Sequence, residues 1–536
     1  MNLVPQHFWQ RLAGVGVLCL GLLSGPTTTA APSITAWGSA TMATKTDGSL
    51  LSWGIQCCAR SQGSETPVQL ASGVDRAFTA YSNLSLLKAN GELYIWGNNF
   101  ANQLLNPSLS RSSTPVLVGT DYVDVVANLS VIAVKRDGSL WAWGDNSYGQ
   151  LGVGTRDKVT QPTQIGSGFA KLANQGYDFD FTYAIKTDGS LWGWGRSNSA
   201  GGRLGDGTSR DILLPERIMG DVASVAVGRY HTVAIKTDGS LWAWGNGPLG
   251  DGGFDRSDIP KRIGEGFVTA AAGQLFTLAI KTDGTLWAWG ARSGGLVGDG
   301  IVPARWGENV PPASRPAVVP LPAGARVARL GVHSPGMAIT TDGRVLAWPV
   351  SRGPAKAGDV WQPRNPAITD VALPDAAVDV AATGEAQLAL LRDGTVWAWG
   401  YNLHGLWGNG ERADTSDPER WRATPKPVPG VRQAVALATG TAGRHALVLL
   451  RDGSLRGWGN SDWGQIGAGV DGDSQLKAVT PRISGVVRVW AGGNNSFALT
   501  RDGRFWAWGG EQSGMGLLGA QSKVPVVWPM ALLQPG

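Results

Sequence analysis

Loop tryptophans and one neighbouring arginine are the side chains of this sequence with the clearest binding chemistry. An exposed tryptophan beside an arginine is a common anchor of protein–protein interfaces, because the ring buries a large area and the guanidinium adds directed hydrogen bonds. The candidate partner-binding residues in predicted loops are Trp306, Trp361, Trp407, Trp421, Arg422 and Trp463. The alternative interpretation is that these rings pack back onto the fold and bind nothing.

No catalytic or metal-binding constellation stands out in the sequence. The histidines that follow the N-terminal segment are His231, His333, His404 and His445. None of them forms a recognisable Ser-His-Asp or His-Cys arrangement. Aspartates in repeated Leu-Gly-Asp-Gly turns are explained by turn chemistry, since a calcium loop needs several oxygen ligands at close spacing. We therefore predict no catalytic residue, no metal and no cofactor.

The charge of the chain argues against a nucleic-acid partner. Lys and Arg number 46 against 41 Asp and Glu, a formal net charge of +5, and no run of five basic residues occurs. Nucleic-acid-binding proteins show a concentrated basic face, whereas these basic residues are spread along the chain. Hydrophobic residues make up 43% of the sequence, which indicates a folded rather than a disordered chain.

The loops must be positioned by ten copies of one repeated segment, seen most clearly at residues 236–245 as Lys-Thr-Asp-Gly-Ser-Leu-Trp-Ala-Trp-Gly. Each copy carries one turn glycine: Gly48, Gly91, Gly138, Gly189, Gly239, Gly284, Gly343, Gly394, Gly453 and Gly503. The intervals between these glycines run from 43 to 59 residues. A period in this range indicates a repeat architecture in which each repeat is one supersecondary unit.

One copy of the segment has the chemistry of a β-hairpin. Asp238-Gly239 suits the positive backbone φ of a tight turn, and apolar runs lie on both sides. Trp242 and Trp244 point to one face of the second strand and the residues between them to the other, so we expect both rings in the core. Each repeat offers about four short strands, which is typical of a propeller blade. The predicted fold is an all-β propeller of ten repeats.

Two stretches carry a resemblance to a known family. Gly228-Arg-Tyr-His231 and Asn146-Ser-Tyr-Gly-Gln-Leu-Gly152 resemble the repeat of the regulator of chromosome condensation (RCC1) family. The resemblance implies a β-propeller, typically of about seven blades, and ten copies depart from that number. It also implies a structural hydrogen-bonding role for His231 and His445, and action through protein contacts.

The N-terminal segment, residues 1–31, has the layout of a secretory signal peptide. Its apolar run of twelve residues, 12–23, is shorter than the roughly 20 residues of a membrane-spanning helix, and small residues precede a cleavage point after Ala30. An uncleaved anchor is the alternative. The prediction is a secreted, periplasmic or cell-surface protein whose propeller occupies residues 32–536. Cys57 and Cys58 are adjacent, and the sequence leaves their oxidation state open.

The predicted function is an exported, non-enzymatic scaffold that binds another protein through its propeller loops. The alternatives are a propeller enzyme and a carbohydrate-binding surface protein, because a propeller fold does not fix function. We expect a monomer with no transmembrane segment after signal removal. For the ten repeats, a single closed ring is the favoured arrangement, and seven blades plus three is the alternative.

Overall fold

A computed structural model gives the architecture of this chain. The structure describes residues 33–37, 40–44, 48–54, 64–79, 83–175, 180–197, 202–273, 275–291, 312–331, 337–347, 368–383, 386–413, 421–439, 444–469, 472–510 and 526–531. These ranges hold β-strands, turns and no α-helix. No helix within these ranges is long and apolar enough to cross a membrane.

Within the ranges just given, forty β-strands follow one another along the chain. Their bounds are β1 (Ser33–Trp37), β2 (Ala40–Thr44), β3 (Leu50–Gly54), β4 (Ser64–Ala71), β5 (Val74–Thr79), β6 (Asn83–Lys88), β7 (Leu93–Asn98), β8 (Arg111–Gly119), β9 (Tyr122–Ala127), β10 (Ser130–Lys135), β11 (Leu140–Gly144), β12 (Val159–Gly166), β13 (Phe169–Gln175), β14 (Phe181–Lys186), β15 (Leu191–Gly195), β16 (Ile212–Met219), β17 (Val222–Val227), β18 (His231–Lys236), β19 (Leu241–Gly245), β20 (Ser257–Gly264), β21 (Phe267–Ala272), β22 (Phe276–Lys281), β23 (Leu286–Gly290), β24 (Ala313–Val318), β25 (Val327–Gly331), β26 (Met337–Thr340), β27 (Val345–Ala347), β28 (Thr369–Val371), β29 (Ala377–Ala382), β30 (Ala386–Leu391), β31 (Val396–Tyr401), β32 (Trp421–Pro427), β33 (Ala434–Thr439), β34 (His445–Leu450), β35 (Leu455–Gly459), β36 (Gln475–Val479), β37 (Val486–Ala491), β38 (Asn495–Thr500), β39 (Phe505–Gly509) and β40 (Val526–Ala531).

Every four consecutive strands pair in order as one antiparallel sheet, from β1–β4 to β37–β40. We call these ten sheets blades 1 to 10. Each blade is thus built from a single continuous stretch of chain, and the predicted all-β propeller class of ten four-stranded repeats is confirmed.

The Asp-Gly segment forms the predicted hairpin turn, and its serine and first tryptophan belong to the same turn. Gly239 has a φ of 80°. The Ser240 backbone N–H donates to the Asp238 carboxylate (2.8 Å). The Ser240 side chain and then this backbone bond lower the pKa of that carboxyl. The Trp242 indole then donates to Ser240 Oγ (3.0 Å), and the Lys236 ammonium lies over the Trp242 ring. Trp242 is therefore half-buried, and the expectation that it packs in the core is wrong because the ring covers its own turn.

The second tryptophan of the segment is a core residue. Trp244 is fully buried, and its indole N–H donates to the backbone carbonyl of Arg203 (2.7 Å), which lies in the β15–β16 loop of the preceding blade. The same bond from a strand tryptophan to the preceding blade joins Trp143 to Gln103, Trp194 to Gln150, Trp289 to Leu249, Trp458 to Leu406 and Trp508 to Gln465. Each of these bonds fixes a loop of one blade onto the core of the next.

The glycine that closes the segment allows a close backbone approach. Gly245 has a φ of 105°, and a Cβ at this position would lie 2.6 Å from the carbonyl oxygen of Tyr230. The next residue, Asn246, donates its backbone N–H to that same carbonyl (2.8 Å). The end of the Trp-Gly strand thus fixes the position of the loop between the first two strands of its own blade.

Apolar packing extends across blade boundaries, including the one between the chain ends. Leu51 of blade 1 is fully buried in one cluster with Phe497, Leu499, Phe505 and Ala507 of blade 10. The first and last blades are therefore in contact, although they share no strand.

Candidate functional site

The blades have two ends with different chemistry. Because the four strands alternate in direction, the loops after the first and third strands lie at one end, which we call the loop face. The Asp-Gly turns and the short links to the next blade lie at the other, which we call the turn face. The predicted partner-binding residues that the structure describes belong to the loops of blades 8 and 9, or to the strand that follows the blade 8 loop.

The prediction that Trp407 is an exposed partner-binding residue is wrong, because its side chain is buried. It is only 7% exposed, and its indole N–H donates to the Gly400 carbonyl (3.2 Å). The Arg422 guanidinium lies 3.6 Å from the centre of its ring. Trp407 is therefore a packing residue of the blade 8 loop, because the arginine of β32 covers the ring that the sequence places in a loop.

Of the other predicted partner-binding residues, two lie in strand β32 of blade 8 and two lie outside the described residues. Burial lowers the pKa of Arg422, and its Nη2 lies 3.7 Å from Glu411 Oε2, so its guanidinium is engaged within the blade. Trp421 begins strand β32 rather than lying in a loop. Trp306 and Trp361 lie outside the described residues.

Trp463 is exposed on the loop face. Its side chain is 40% exposed, and its backbone N–H donates to Gln465 Oε1 (3.0 Å). A Cβ at Gly510 of blade 10 would lie 2.8 Å from the Trp463 Cβ, so this tryptophan sits directly against the next blade. Of the predicted residues, Trp463 keeps the surface position that partner binding requires.

Sequence reasoning missed two side chains that occupy the same loop position as Trp463, immediately before the loop glycine. Tyr148 of blade 3 is exposed, and the Arg196 guanidinium of blade 4 lies 4.6 Å from the centre of its ring. His404 of blade 8 has its Nε2 3.4 Å from Nη1 of Arg444 in blade 9. The signal that could have found them is the shared position before glycine, which places a ring at a blade boundary.

A second set of exposed side chains projects from the loop between the first two strands. We call these residues, which directly precede the second strand, the loop tips. Leu129 of blade 3 and Leu275 of blade 6 are 37% and 39% exposed. Arg229, next to the tip Tyr230 in blade 5, is exposed and lies over the tyrosine ring (5.4 Å). The backbones of Leu129 and Leu275 are fixed in the same way as that of Tyr230. The carbonyl of each residue accepts the backbone N–H of the residue that follows the third strand of its blade.

The two histidines at the family position are buried between blades. His231 Nε2 lies 2.8 Å from Thr277 Oγ1 of blade 6, and His445 Nε2 lies 2.9 Å from Ser496 Oγ of blade 10. Burial lowers the pKa of each imidazole to about 4, so both rings are neutral near pH 7. Because both rings are neutral, buried and hydrogen-bonded to hydroxyls, His231 and His445 have a structural role and do not supply acid–base chemistry at the loop face.

Within the described ranges, no three His, Cys, Asp or Glu side chains come together in a way that could hold a metal ion. The carboxylate that lies deepest in the core near the loop face, Asp180, is ion-paired with Arg203 (3.1 Å) and nearly inaccessible. The loop face therefore displays aromatic, aliphatic and guanidinium side chains, together with exposed carboxylates such as Asp157, Asp255 and Asp462.

Comparison with known proteins gives partial sequence matches. The chain is 27% identical over 170 residues to the RCC1 domain-containing protein RUG3, mitochondrial, of Arabidopsis thaliana, covering 31% of this chain and 36% of that protein. It is 26% identical over 190 residues to the human E3 ubiquitin-protein ligase HERC2, covering 34% of this chain and 4% of that protein. The match to the Arabidopsis ultraviolet-B receptor UVR8 is 31% identical and covers 25% of this chain and 30% of that protein. The matched part thus spans about a third or less of each relative.

Solved structures with a similar arrangement include yeast RCC1 (Prp20) bound to Kap60, at 19% identity and a TM-score of 0.35, covering 71% of this chain and 91% of that one. Human WBSCR16 matches at 16% identity and a TM-score of 0.35, covering 76% of this chain and all of that one.

Two family models match the central blades. The RCC1 repeat model, described as the regulator of chromosome condensation repeat, matches residues 137–173 and 188–235, and a second model of the same description matches residues 222–250. These residues contain the Asp-Gly turn, the Trp-Gly strand and the buried histidine that the structure shows in blades 3 to 5. Residues 137–173 and 188–250 therefore match the repeat of the regulator of chromosome condensation (RCC1) family.

Proposed function

We propose that this protein is an exported, non-enzymatic scaffold that binds another protein through its loop face. The observation that carries the proposal is the exposure of large apolar side chains on loops whose backbones are hydrogen-bonded to the blades. Leu129, Tyr148 and Trp463 are each more than a third exposed. Apolar groups held in fixed positions are suited to binding, because little conformational entropy is lost when a partner covers them.

The loops are held at more than one point, which supports a preorganised surface. In the blade 4 loop, the Arg203 carbonyl accepts the indole N–H of Trp244. At its far end the Gly207 N–H donates to the carbonyl of Asp258 in the next blade (2.7 Å). RCC1 repeats also occur in relatives named as a ubiquitin ligase and as a light receptor, so the repeats serve proteins with different activities.

Two further parts of the proposal concern the chain ends. Residues 1–31 are a signal peptide, so the exported protein begins near Ala31, and its intact mass lacks about 30 residues; full-length chain in the cytosol contradicts export. The ten blades form one closed ring, supported by the contact between Leu51 and the core of blade 10.

Affinity capture by the mature chain tests the function, with the variant Tyr148→Ser/Trp463→Ser compared with the turn-face variant Arg451→Ser. Both variants change exposed side chains. The proposal predicts that the loop-face variant loses the captured protein and that the turn-face variant keeps it. Loss with Arg451→Ser alone contradicts the loop face. Binding of a glycan array that depends on Trp463 would instead establish the carbohydrate-binding alternative.

A further inference from the structure

Three asparagine–glycine pairs occur in the sequence, and the structure describes all of them: Asn90-Gly91, Asn246-Gly247 and Asn409-Gly410. Such a pair can modify itself, because glycine has no side chain to keep its backbone nitrogen away from the asparagine amide. Attack by that nitrogen expels ammonia and closes a succinimide ring, which water then opens to aspartate or isoaspartate. The reaction requires a glycine N–H and an asparagine side chain that other groups do not hold.

The pair in the blade 2 turn is held at both reacting groups. Asn90 Oδ1 accepts the backbone N–H of Glu92 (3.1 Å). The Gly91 N–H donates to the carbonyl of Lys88 (2.9 Å). Both hydrogen bonds must break before the ring can close, because the amide has to turn toward a nitrogen that faces another acceptor.

The pair in the blade 8 loop is held in the same way. Asn409 Oδ1 accepts the backbone N–H of Glu411 (3.1 Å). The Gly410 N–H donates to the carbonyl of Leu476 in blade 9 (2.8 Å), and Asn409 forms a β-bridge with Lys477 of the same strand. This pair is therefore fixed by its own loop and by the next blade.

The pair in the blade 5 loop has neither of these bonds. Asn246 is exposed at the start of the β19–β20 loop, and its backbone N–H donates to the carbonyl of the tip residue Tyr230 (2.8 Å). Within the ranges that the structure describes, the Asn246 side chain and the Gly247 N–H form no hydrogen bond. Gly247 is partly accessible, so water and hydroxide reach both reacting groups.

We propose that Asn246 is a self-modifying residue of the loop face. Hydroxide takes the proton of the Gly247 N–H, the nitrogen bonds to the side-chain amide carbon of Asn246, and the amide nitrogen leaves as ammonia. Water then opens the succinimide and leaves a carboxylate in place of the amide. The reaction needs only the folded chain and water, so it is independent of the proposed function.

The product alters the loop face next to blade 6. A Cβ at Gly247 would lie 3.2 Å from Leu275 Cδ2, so the backbone that reacts lies against an exposed tip leucine. The new carboxylate places a charge near this apolar side chain. The isoaspartate form also lengthens the main chain by a methylene group between Asn246 and Gly247. The chemistry of this surface therefore changes as the protein ages, with no change of the gene.

Incubation of the folded mature protein at mildly alkaline pH, followed by peptide mapping with mass spectrometry, tests the proposal. We expect Asn246 to be converted at least about tenfold faster than Asn90 and Asn409, because each of these must first break two hydrogen bonds. Enzymatic methylation should detect isoaspartate in the peptide that contains Asn246. The same peptide of the variant Asn246→Gln should contain none, because the longer side chain does not form a succinimide.

The same incubation in guanidinium chloride separates the effect of the fold from that of the sequence. The hydrogen bonds are absent in the unfolded chain, so the three pairs should react at similar rates. If Asn246 reacts in the unfolded chain and stays intact in the folded protein, the proposal is overturned, because the fold then keeps the Gly247 nitrogen away from the amide. Equal rates for the three pairs in the folded protein overturn it as well, because hydrogen bonding would not control the reaction.

Discussion

The indole nitrogen of Trp244 lies 2.7 Å from the backbone carbonyl oxygen of Arg203, a residue of the preceding blade. The bond joins the core of one blade to the loop that the blade before it presents at the loop face. Because five other strand tryptophans make the same bond, stability and loop position are coupled in this protein. The same residues that hold the fold also hold the candidate binding surface.

Trp244→Ala should lower the free energy of unfolding by about 3–5 kcal/mol, the usual cost of removing a fully buried large aromatic side chain. Trp463→Ala, which removes the same side chain from the loop face, should cost less than about 1 kcal/mol. Urea denaturation monitored by circular dichroism measures both. Equal losses for the two variants would contradict the assignment of one tryptophan to the core and the other to the surface.

Gly245→Ala should destabilise the protein more than Gly503→Ala. Both glycines have positive φ, 105° and 80°, so alanine adds a backbone penalty of about 1–2 kcal/mol at either position. A Cβ at Gly245 also meets the Tyr230 carbonyl, whereas nothing lies within 4 Å of a Cβ at Gly503. Thermal denaturation should show a larger drop in Tm for Gly245→Ala. Matching drops would mean that the contact with the loop carbonyl relaxes without cost.

Stability should fall as the pH is lowered from about 6.5 to 4. His231 and His445 have a pKa lowered to about 4 by burial, whereas an unfolded histidine titrates near 6.5. In this window the unfolded state binds more protons than the folded state, so each histidine contributes a loss of up to about 3 kcal/mol.

Urea titrations at a series of pH values measure this loss. The double variant His231→Asn/His445→Asn, which uses the residue found at the matched positions Asn83 and Asn495, should show a flatter profile between pH 4 and 6.5. A wild-type profile that is already flat in this window would show that the buried rings do not titrate as described.

Arg203→Gln should be strongly destabilising although glutamine is the matched residue, Gln150, in blade 3. The Arg203–Asp180 pair is almost fully buried, and removing one partner of such a pair costs about 3–5 kcal/mol because the other charge stays buried. Adding Asp180→Leu, after the matched Leu129, should recover part of that loss. If the double variant is no more stable than Arg203→Gln, the unpaired Asp180 carboxylate is not the cause of the destabilisation.

The repeat landmarks predict much of the fold. Asp238-Gly239 specifies the hairpin, and the Trp-Gly strand with its flanking turns indicates four strands per repeat, because these features depend on neighbours in sequence. Strand alternation assigns Trp242 and Trp244 to one face but does not say what covers that face. The structure shows that a lysine and a serine of the same turn engage the first ring, and that the preceding blade covers the second.

The candidate site was less predictable, because the exposure of its side chains depends on residues that are distant in the sequence. The sequence places Trp407 in a loop, but its burial depends on Arg422, which comes from a strand further along the chain. Trp463 stays exposed because the residue against it in the next blade is Gly510, which has no side chain to cover the ring. Contacts between consecutive blades join residues about forty to sixty positions apart, and the local pattern around each residue does not specify its partner.

The most direct test compares the unfolding of the whole mature chain with that of a fragment that ends at Leu373, just after the fourth strand of blade 7. It tests whether the ten blades form a single ring with blade 1 packed on blade 10. The fragment lacks the blade 10 residues around Phe497 that bury Leu51, and it exposes apolar blade faces and strand edges that favour aggregation. We predict one cooperative transition for the whole chain and an unfolded or aggregated fragment. A soluble fragment with its own cooperative transition would contradict the single ring and establish an independent seven-blade unit.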